Sequence, residues 1–237
     1  MAQLSKLQSR TEQVGNLRYP VRIVVTAGPT REPIDPVRFL SNHSSGKMGY
    51  AIADAAIEAG HEVTLISGPS ALTPPPRARL VPITTSDELY DAVHEETRDC
   101  DLLVMCAAVS DYKPVTAATQ KLEKQPGPFA LRLTPTRDIL ASLPTESRSY
   151  FVVGFAAETH DIKANAQRKL FTKNCDMIVA NDVSRDDSGM ESDENEVTIF
   201  VRDGSSRFIS RAPKKIIARE VLKIIFEIRE KSLTKKT

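Results

Sequence analysis

The chain has 237 residues, 41% hydrophobic and 27% charged, a balance that suits a globular domain with a sizeable buried core. Thirty-two basic side chains stand against 31 acidic ones, for a net charge of +1, so no overall field draws the protein to nucleic acid or to an anionic membrane. Cys100, Cys106 and Cys175 are odd in number and irregularly spaced, which argues against a disulfide scaffold. Cys100 and Cys106 flank an apolar strand and read as reduced structural residues. With no C-x-x-C and no H-E-x-x-H, nothing marks a zinc site. No apolar run approaches the roughly 20 residues of a membrane helix. The first twenty residues are polar and lack the apolar centre of a signal peptide, so a cytoplasmic location is expected.

Residues 1–20 read as a mobile leader. Residues 21–27 (VRIVVTA) form a continuous apolar strand, the kind buried on both faces of a parallel sheet. A long loop over 28–46 leads to a small-residue helix at 47–59, which Gly60 ends. Residues 63–67 give the next strand. Three prolines stiffen 72–77, and 79–84 is a short strand. Ser86, followed by Asp87 and Glu88, is expected to cap a helix running to about residue 98. Residues 101–109 (DLLVMCAAV) form the fourth apolar strand. The alternation predicts a doubly wound, Rossmann-like, mostly parallel α/β sheet with right-handed crossovers.

Residues 110–128 carry Pro114, Pro126 and Pro128 with Lys113, Lys121 and Lys124, and show no periodicity. A loop that long is uncommon unless it is a lid or a binding segment. Residues 129–133 read as a strand, 137–143 as a short helix, 150–156 as a buried strand, 159–173 as a helix and 176–180 as a strand. A late β-hairpin is expected from 196–201 and 207–211 around Asp203-Gly204. The C-terminal helix, 213–229, places Ile216, Ile217, Val221, Ile224, Ile225 and Ile228 on one face. Residues 232–237 form a basic tail.

The most informative stretch is 28–49, GPTREPIDPVRFLSNHSSGKMG, between the first strand and first helix. Open α/β sheets bind ligands at that end, and a helix start suits a phosphate. It is not a P-loop: Ser41 replaces the first glycine, and Met48 stands where a metal-binding hydroxyl belongs. The simpler reading is that Asn42, Ser44 or Ser45 merely caps the helix. Three prolines, Arg31, Arg38 and several small polar residues exceed what a cap requires.

Together, VTAGPTREPIDPVRFLSNHSSGKMG (25–49), CAAVSDY (106–112), VGFAAET (153–159), KLFTKN (169–174) and ANDV (180–183) resemble the phosphopantothenoylcysteine synthetases over almost all of 21–231. That family is usually fused behind a flavin-dependent decarboxylase, so the chain is expected to be a stand-alone synthetase with one domain, 21–231, and a flap loop at about 112–128. The resemblance implies a ligase of coenzyme A biosynthesis. It would join 4'-phosphopantothenate to L-cysteine through an acyl-cytidylate, releasing pyrophosphate and CMP. CTP is the expected co-substrate with Mg2+, since bacterial members resemble CTP users while eukaryotic relatives use ATP. No residues single out the metal ligands. A homodimer and a functional link to a separate flavin-dependent decarboxylase are expected; nucleic acid and membrane partners are not.

The same resemblance assigns residues. Asn42 matches the catalytic asparagine, whose amide can donate to the acyl oxygen. Lys121 matches the flap lysine that closes over the phosphates. Ala107, Ala108, Asp111, Arg137, Asp138, Ile139, Leu140, Phe155, Lys169 and Lys173 fall on nucleotide-binding positions. Arg38, Ser44 and Gly46 are candidates for the phosphopantothenate phosphate, Arg38 across a dimer interface. Lys169 and Lys173 are four apart on one helix and repel unless an anion lies near them. Each assignment has a plainer counterpart: tight packing for the alanines, a strand-end turn for Asp111 and a solvated face for the lysines.

Two departures stand out. The flap reads Lys121-Leu122-Glu123-Lys124 where the family tends to K-x-K-K, and Thr136-Arg137-Asp138-Ile139 replaces Asn-Pro-Asp-Ile. Arg137 could add a phosphate contact. His43 lies beside Asn42, but water or the departing phosphate can take the amine proton. A nicotinamide oxidoreductase would need a G-x-G-x-x-G turn and a Y-x-x-x-K pair, and neither occurs. A nucleotide-sensing module without catalysis is the other alternative.

Overall fold

The computed structural model describes residues 20–146, 148–183 and 192–234. The leader through residue 19 and residues 235–237 of the tail lie outside the described residues. The chain begins with β1 (Arg22–Ala27), β2 (Arg31–Pro33), β3 (Phe39–Ser41), α1 (Lys47–Glu58), β4 (Glu62–Ser67) and β5 (Arg79–Pro82). Helix α2 (Ser86–Glu96) leads through a 3-10 turn at Thr97–Asp99 to β6 (Leu102–Met105), β7 (Tyr112–Pro114), β8 (Leu133–Pro135) and α3 (Ile139–Ser142). Then come β9 (Phe151–Glu158), α4 (Ile162–Thr172), β10 (Met177–Asp182), β11 (Glu194–Val201), β12 (Ser206–Pro213) and α5 (Lys214–Thr234).

Eight strands form one sheet in the order β12-β11-β10-β9-β6-β1-β4-β5. All pairings from β5 to β10 are parallel, and β11 and β12 add an antiparallel hairpin at one edge. The chain winds outward from β1 through β4 to β5, then returns to the other side of β1 with β6. That reversal makes the gap between the carboxyl ends of β1 and β6 the topological switch point.

The central strands are apolar throughout because both faces are covered. In β1, Ile23 and Val25 face α1 and α5, together with Leu65, Val104, Val153 and Val179. Val24 faces the other layer, where Leu103, Val152 and Ile178 meet Leu89 and Val93 of α2, Ile139 of α3, and Ala166 and Leu170 of α4. Each fully buried Leu or Ile contributes about 1.5–3 kcal/mol. Gly49 lets α1 lie against β1, since an added Cβ would meet the Ala27 Cβ at 2.6 Å.

The doubly wound sheet, the late hairpin and the C-terminal helix are as expected, with several local corrections. The loop expected over 28–46 contains the hairpin β2–β3. The strand expected at 129–133 lies at Leu133–Pro135, where it pairs with β7 inside the supposed structureless segment. The cap of α2 is Thr85, not Ser86. The Thr85 hydroxyl accepts from the Glu88 N–H, and the Glu88 carboxylate returns to the Thr85 N–H, a full capping box. Strand β6 ends at Met105 rather than 109. The N–H groups of Cys106 and Ala107 leave the ladder and donate to the buried Thr26 hydroxyl at 3.1 and 3.0 Å. On α5, Ile217, Val221, Ile224 and Ile225 are buried, but Ile216 is 45% exposed, outside the apolar stripe.

Candidate active site

A cavity of about 530 Å³ opens at the switch point. The loop after β1, the start of α1, the loop after β6, the segment before α3, the end of β9 and one face of α4 enclose it. Two backbone hydrogen bonds bring the two central loops together: Thr30 N–H donates to the Ala108 carbonyl and Ala108 N–H to the Gly28 carbonyl, while Gly68 N–H, just after β4, donates to the Ala27 carbonyl. The Thr30 hydroxyl accepts from Ser110 N–H at 3.0 Å and fixes the descent toward Asp111. Ala107 and Ala108 thus stand beyond the strand end and line the cavity.

Asn42 bridges the two loops. Its Nδ2 donates to the Ala108 carbonyl at 2.9 Å, and a side-chain amide nitrogen carries a second hydrogen. Ser44 and Gly46 line the same wall. Gly46 precedes α1 with φ of +81°, a left-handed conformation that favours glycine. No side chain caps α1, because the Ser44 hydroxyl accepts from Gly46 N–H instead. The capping alternative for Asn42, Ser44 and Ser45 is therefore not realised, and the positive end of a 12-residue helix meets the cavity.

The opposite wall holds Arg137, Asp138, Ile139, Leu140, Phe155, Lys169 and Lys173, with Asp111 at the rim. Asp138 caps α3, its carboxylate accepting from Ala141 N–H at 3.1 Å. Lys169 and Lys173 do not confront each other unbalanced. Lys169 pairs with the buried Glu158 at 2.7 Å, and Lys173 pairs with Asp138. Sequence reasoning did not single out Glu158, although it lies in the VGFAAET motif.

Three positions differ from their expected surroundings. Arg137 lines the cavity, but its guanidinium is engaged on α2: it stacks on the Tyr90 ring at 3.7 Å and donates to Asp87 and Asp91 at 3.1 and 3.3 Å. Arg38 and Lys121 do not line the cavity. Arg38 pairs with Asp35 and donates to the Leu122 carbonyl, while Lys121 is exposed on the flap. His43 is also exposed and outside the lining.

The cavity includes residues that sequence reasoning passed over. Lys47 opens α1 and pairs with Asp193 at 2.6 Å. Lys214 opens α5, is 6% exposed and donates to the Ser192 carbonyl; burial pushes its ammonium pKa down. Asn181 sits in the ANDV motif. Lys214 has no signal in the sequence; hydrogen bonds from its ammonium and its N–H to the Ser192 and Asp193 carbonyls help hold it at the site. Cys106 also lines the cavity, and burial pushes its thiol pKa up to about 12.

Among the described residues, no group of three His, Cys, Asp or Glu side chains could hold a metal ion. No helix among them is long and apolar enough to cross a membrane.

Fold and cavity define an α/β protein with a small-molecule site at the switch point of a doubly wound sheet. Residues 20–228 match the family described as DNA/pantothenate metabolism flavoprotein C-terminal domain, and the chain belongs to that family. It is 45% identical over 207 residues to the coenzyme A biosynthesis bifunctional protein CoaBC of Vibrio vulnificus strain CMCP6. That alignment covers 86% of this chain and 51% of the relative, so the chain spans about half the length of the curated relatives it matches. The crystal structure of the C-terminal domain of a CoaBC protein is 40% identical, with a TM-score of 0.75 covering 89% of this chain and 96% of that one. A Cab2 mutant in complex with phosphopantothenate-cysteine shares the fold at 18% identity, with a TM-score of 0.76 over 99% of this chain and 92% of that one.

Proposed function

We propose that this chain is a CTP-dependent phosphopantothenate–cysteine ligase of coenzyme A biosynthesis, acting in the cytoplasm. One observation carries the reading. The Asn42 amide, the uncapped start of α1 and the Lys169–Lys173 wall converge on a single cavity. Supporting it is membership of a family whose relatives include CoaBC, a coenzyme A biosynthesis protein.

A carboxylate oxygen of 4'-phosphopantothenate attacks the α-phosphorus of CTP. The bond to the β-phosphate oxygen breaks, pyrophosphate leaves and an acyl-cytidylate forms. The cysteine amine then attacks the acyl carbon, the bond to the cytidylate oxygen breaks, and CMP departs. The amine proton passes to water or to the leaving phosphate. Negative charge builds on oxygen in both steps, so donors and cations do the work rather than a protein nucleophile.

Lys169 and Lys173 take the triphosphate, exchanging Glu158 and Asp138 for phosphate oxygens. Ala107, Ala108 and the 137–140 segment form the nucleotide wall beside Phe155. The start of α1, with Ser44 and Gly46, receives the phosphate of the acyl substrate. Asn42 offers its second amide hydrogen to the acyl oxygen. Lys121 reaches the phosphates only when the flap closes, which excludes water from the reactive anhydride.

Asp111, an exposed carboxylate on the cavity lining, would hold a magnesium ion brought in with the triphosphate. When bound, the ion neutralises phosphate charge. The exposed apolar Val37, Phe39, Tyr112, Val115 and Leu133, on and beside the two small hairpins, suit a homodimer. The product's cysteine carboxyl suits a decarboxylase as a partner activity, a reading supported by a bifunctional relative and by another described as a cysteine/cysteine sulfinic acid decarboxylase.

Isotope transfer tests the intermediate. With the carboxylate of 4'-phosphopantothenate labelled with 18O, mass spectrometry should find one labelled oxygen in CMP. Unlabelled CMP alongside the amide product would exclude the acyl-cytidylate.

A further inference from the structure

Asp35 lies in the turn between β2 and β3, and its side chain is fully buried. Every bond it makes is accounted for by two short segments. Oδ1 accepts from Val37 N–H and Arg38 N–H, both at 2.8 Å. Oδ2 accepts from the Arg38 guanidinium and, across 87 residues of chain, from Leu122 N–H at 3.1 Å. The Arg38 guanidinium donates in turn to the Leu122 carbonyl at 2.8 Å. Nearby, Ala118 N–H donates to the Ile34 carbonyl at 2.9 Å. Both polar groups of the Leu122 backbone are therefore held by the β2–β3 turn. Those bonds are charge-assisted, and a buried carboxylate makes them costly to break.

Leu122 is the neighbour of Lys121. We infer that Asp35 is the positioning residue of the flap: by binding the Leu122 amide it fixes the point from which Lys121 swings to the phosphates as the flap closes, and Arg38 completes the grip. This rests on the reading of Lys121 as a group that acts on the nucleotide phosphates. The tripeptide Lys121-Leu122-Glu123 is thus not a free loop tip but a segment registered against the β2–β3 hairpin. That hairpin leads directly, through Ser41, into Asn42, so the two ends of the proposed machinery share one support.

Asp35→Asn tests this. The new side chain keeps an oxygen for Val37 and Arg38 N–H but turns an amide donor toward Leu122 N–H and the guanidinium. Hydrogen exchange read on the Leu122 amide should quicken about tenfold or more while exchange in β1 and β6 stays unchanged. Turnover with CTP, 4'-phosphopantothenate and cysteine should fall in kcat, with KM for CTP within about threefold. Because Asp35 acts through Lys121, adding Lys121→Gln to Asp35→Asn should cost less than about threefold further.

Leu122→Pro removes the same donor and leaves the hairpin's own bonds in place; it should give the same kcat loss even if Asp35→Asn folds poorly. Unchanged Leu122 exchange in Asp35→Asn, or losses that multiply fully in the double variant, would overturn the assignment. The exchange measurement needs no turnover, so it decides the flap contact separately from the ligase reading.

Discussion

Asn42 and Ala108 meet at the switch point of the sheet, with the asparagine amide donating to the alanine carbonyl at 2.9 Å. One hydrogen bond thereby fixes the loop before α1 against the loop after β6. Asn42→Asp sets a carboxylate against that carbonyl and removes the donor proposed for the acyl oxygen. Turnover should fall by about a hundredfold or more, with CTP affinity within about threefold by calorimetry. Unchanged turnover would remove Asn42 from the chemistry.

Thr26 is fully buried in β1, and its hydroxyl receives the N–H groups of both Cys106 and Ala107. Thr26→Val keeps the shape and leaves two part-buried donors without this partner. The expected loss is about 2–4 kcal/mol of stability by urea unfolding, with weaker nucleotide binding because the β6 exit shifts. Thr26→Ser should retain most of both. A loss below about 0.5 kcal/mol for the valine variant would show that water replaces the hydroxyl.

The Arg137 guanidinium is already engaged on α2 through Tyr90, Asp87 and Asp91. Arg137→Gln should therefore change CTP affinity by less than about threefold and lower stability by up to about 1 kcal/mol, the range of exposed ion pairs. A tenfold loss of affinity that disappears at high salt would return Arg137 to the phosphate site.

Cys106 lines the cavity, yet burial pushes its thiol pKa up to about 12, as it does for Cys100 and Cys175. The reactive thiolate is the minor form, and its share grows only as pH rises toward that value. Native protein at pH 7.5 should resist iodoacetamide at all three positions, with alkylation appearing on unfolding. Rapid labelling of Cys106 at neutral pH, blocked by CTP, would show a cavity far more polar than the one described.

The large sheet was legible because its central strands are continuous apolar runs, and burial on both faces demands such runs. The small hairpins were not. Their strands, such as Arg31–Pro33 and Phe39–Ser41, are three residues long and too short to show a period. Strand β6 was read too long because the apolar run continues through Cys106, Ala107 and Ala108. What ends the strand is a hydroxyl 80 residues away on Thr26. The cavity residues fell within recognisable motifs, but side-chain direction did not follow from them. Asp87, fifty residues from Arg137, engages that guanidinium, and α5 carries Lys214 in from the far end of the chain.

The central claim is tested most directly by pyrophosphate release with 4'-phosphopantothenate, cysteine and magnesium, comparing CTP with ATP. The expected result is release that requires 4'-phosphopantothenate, is faster with CTP, and yields CMP with the cysteine adduct. A folded protein that releases no pyrophosphate with either nucleotide would contradict the ligase and withdraw the catalytic role of Asn42.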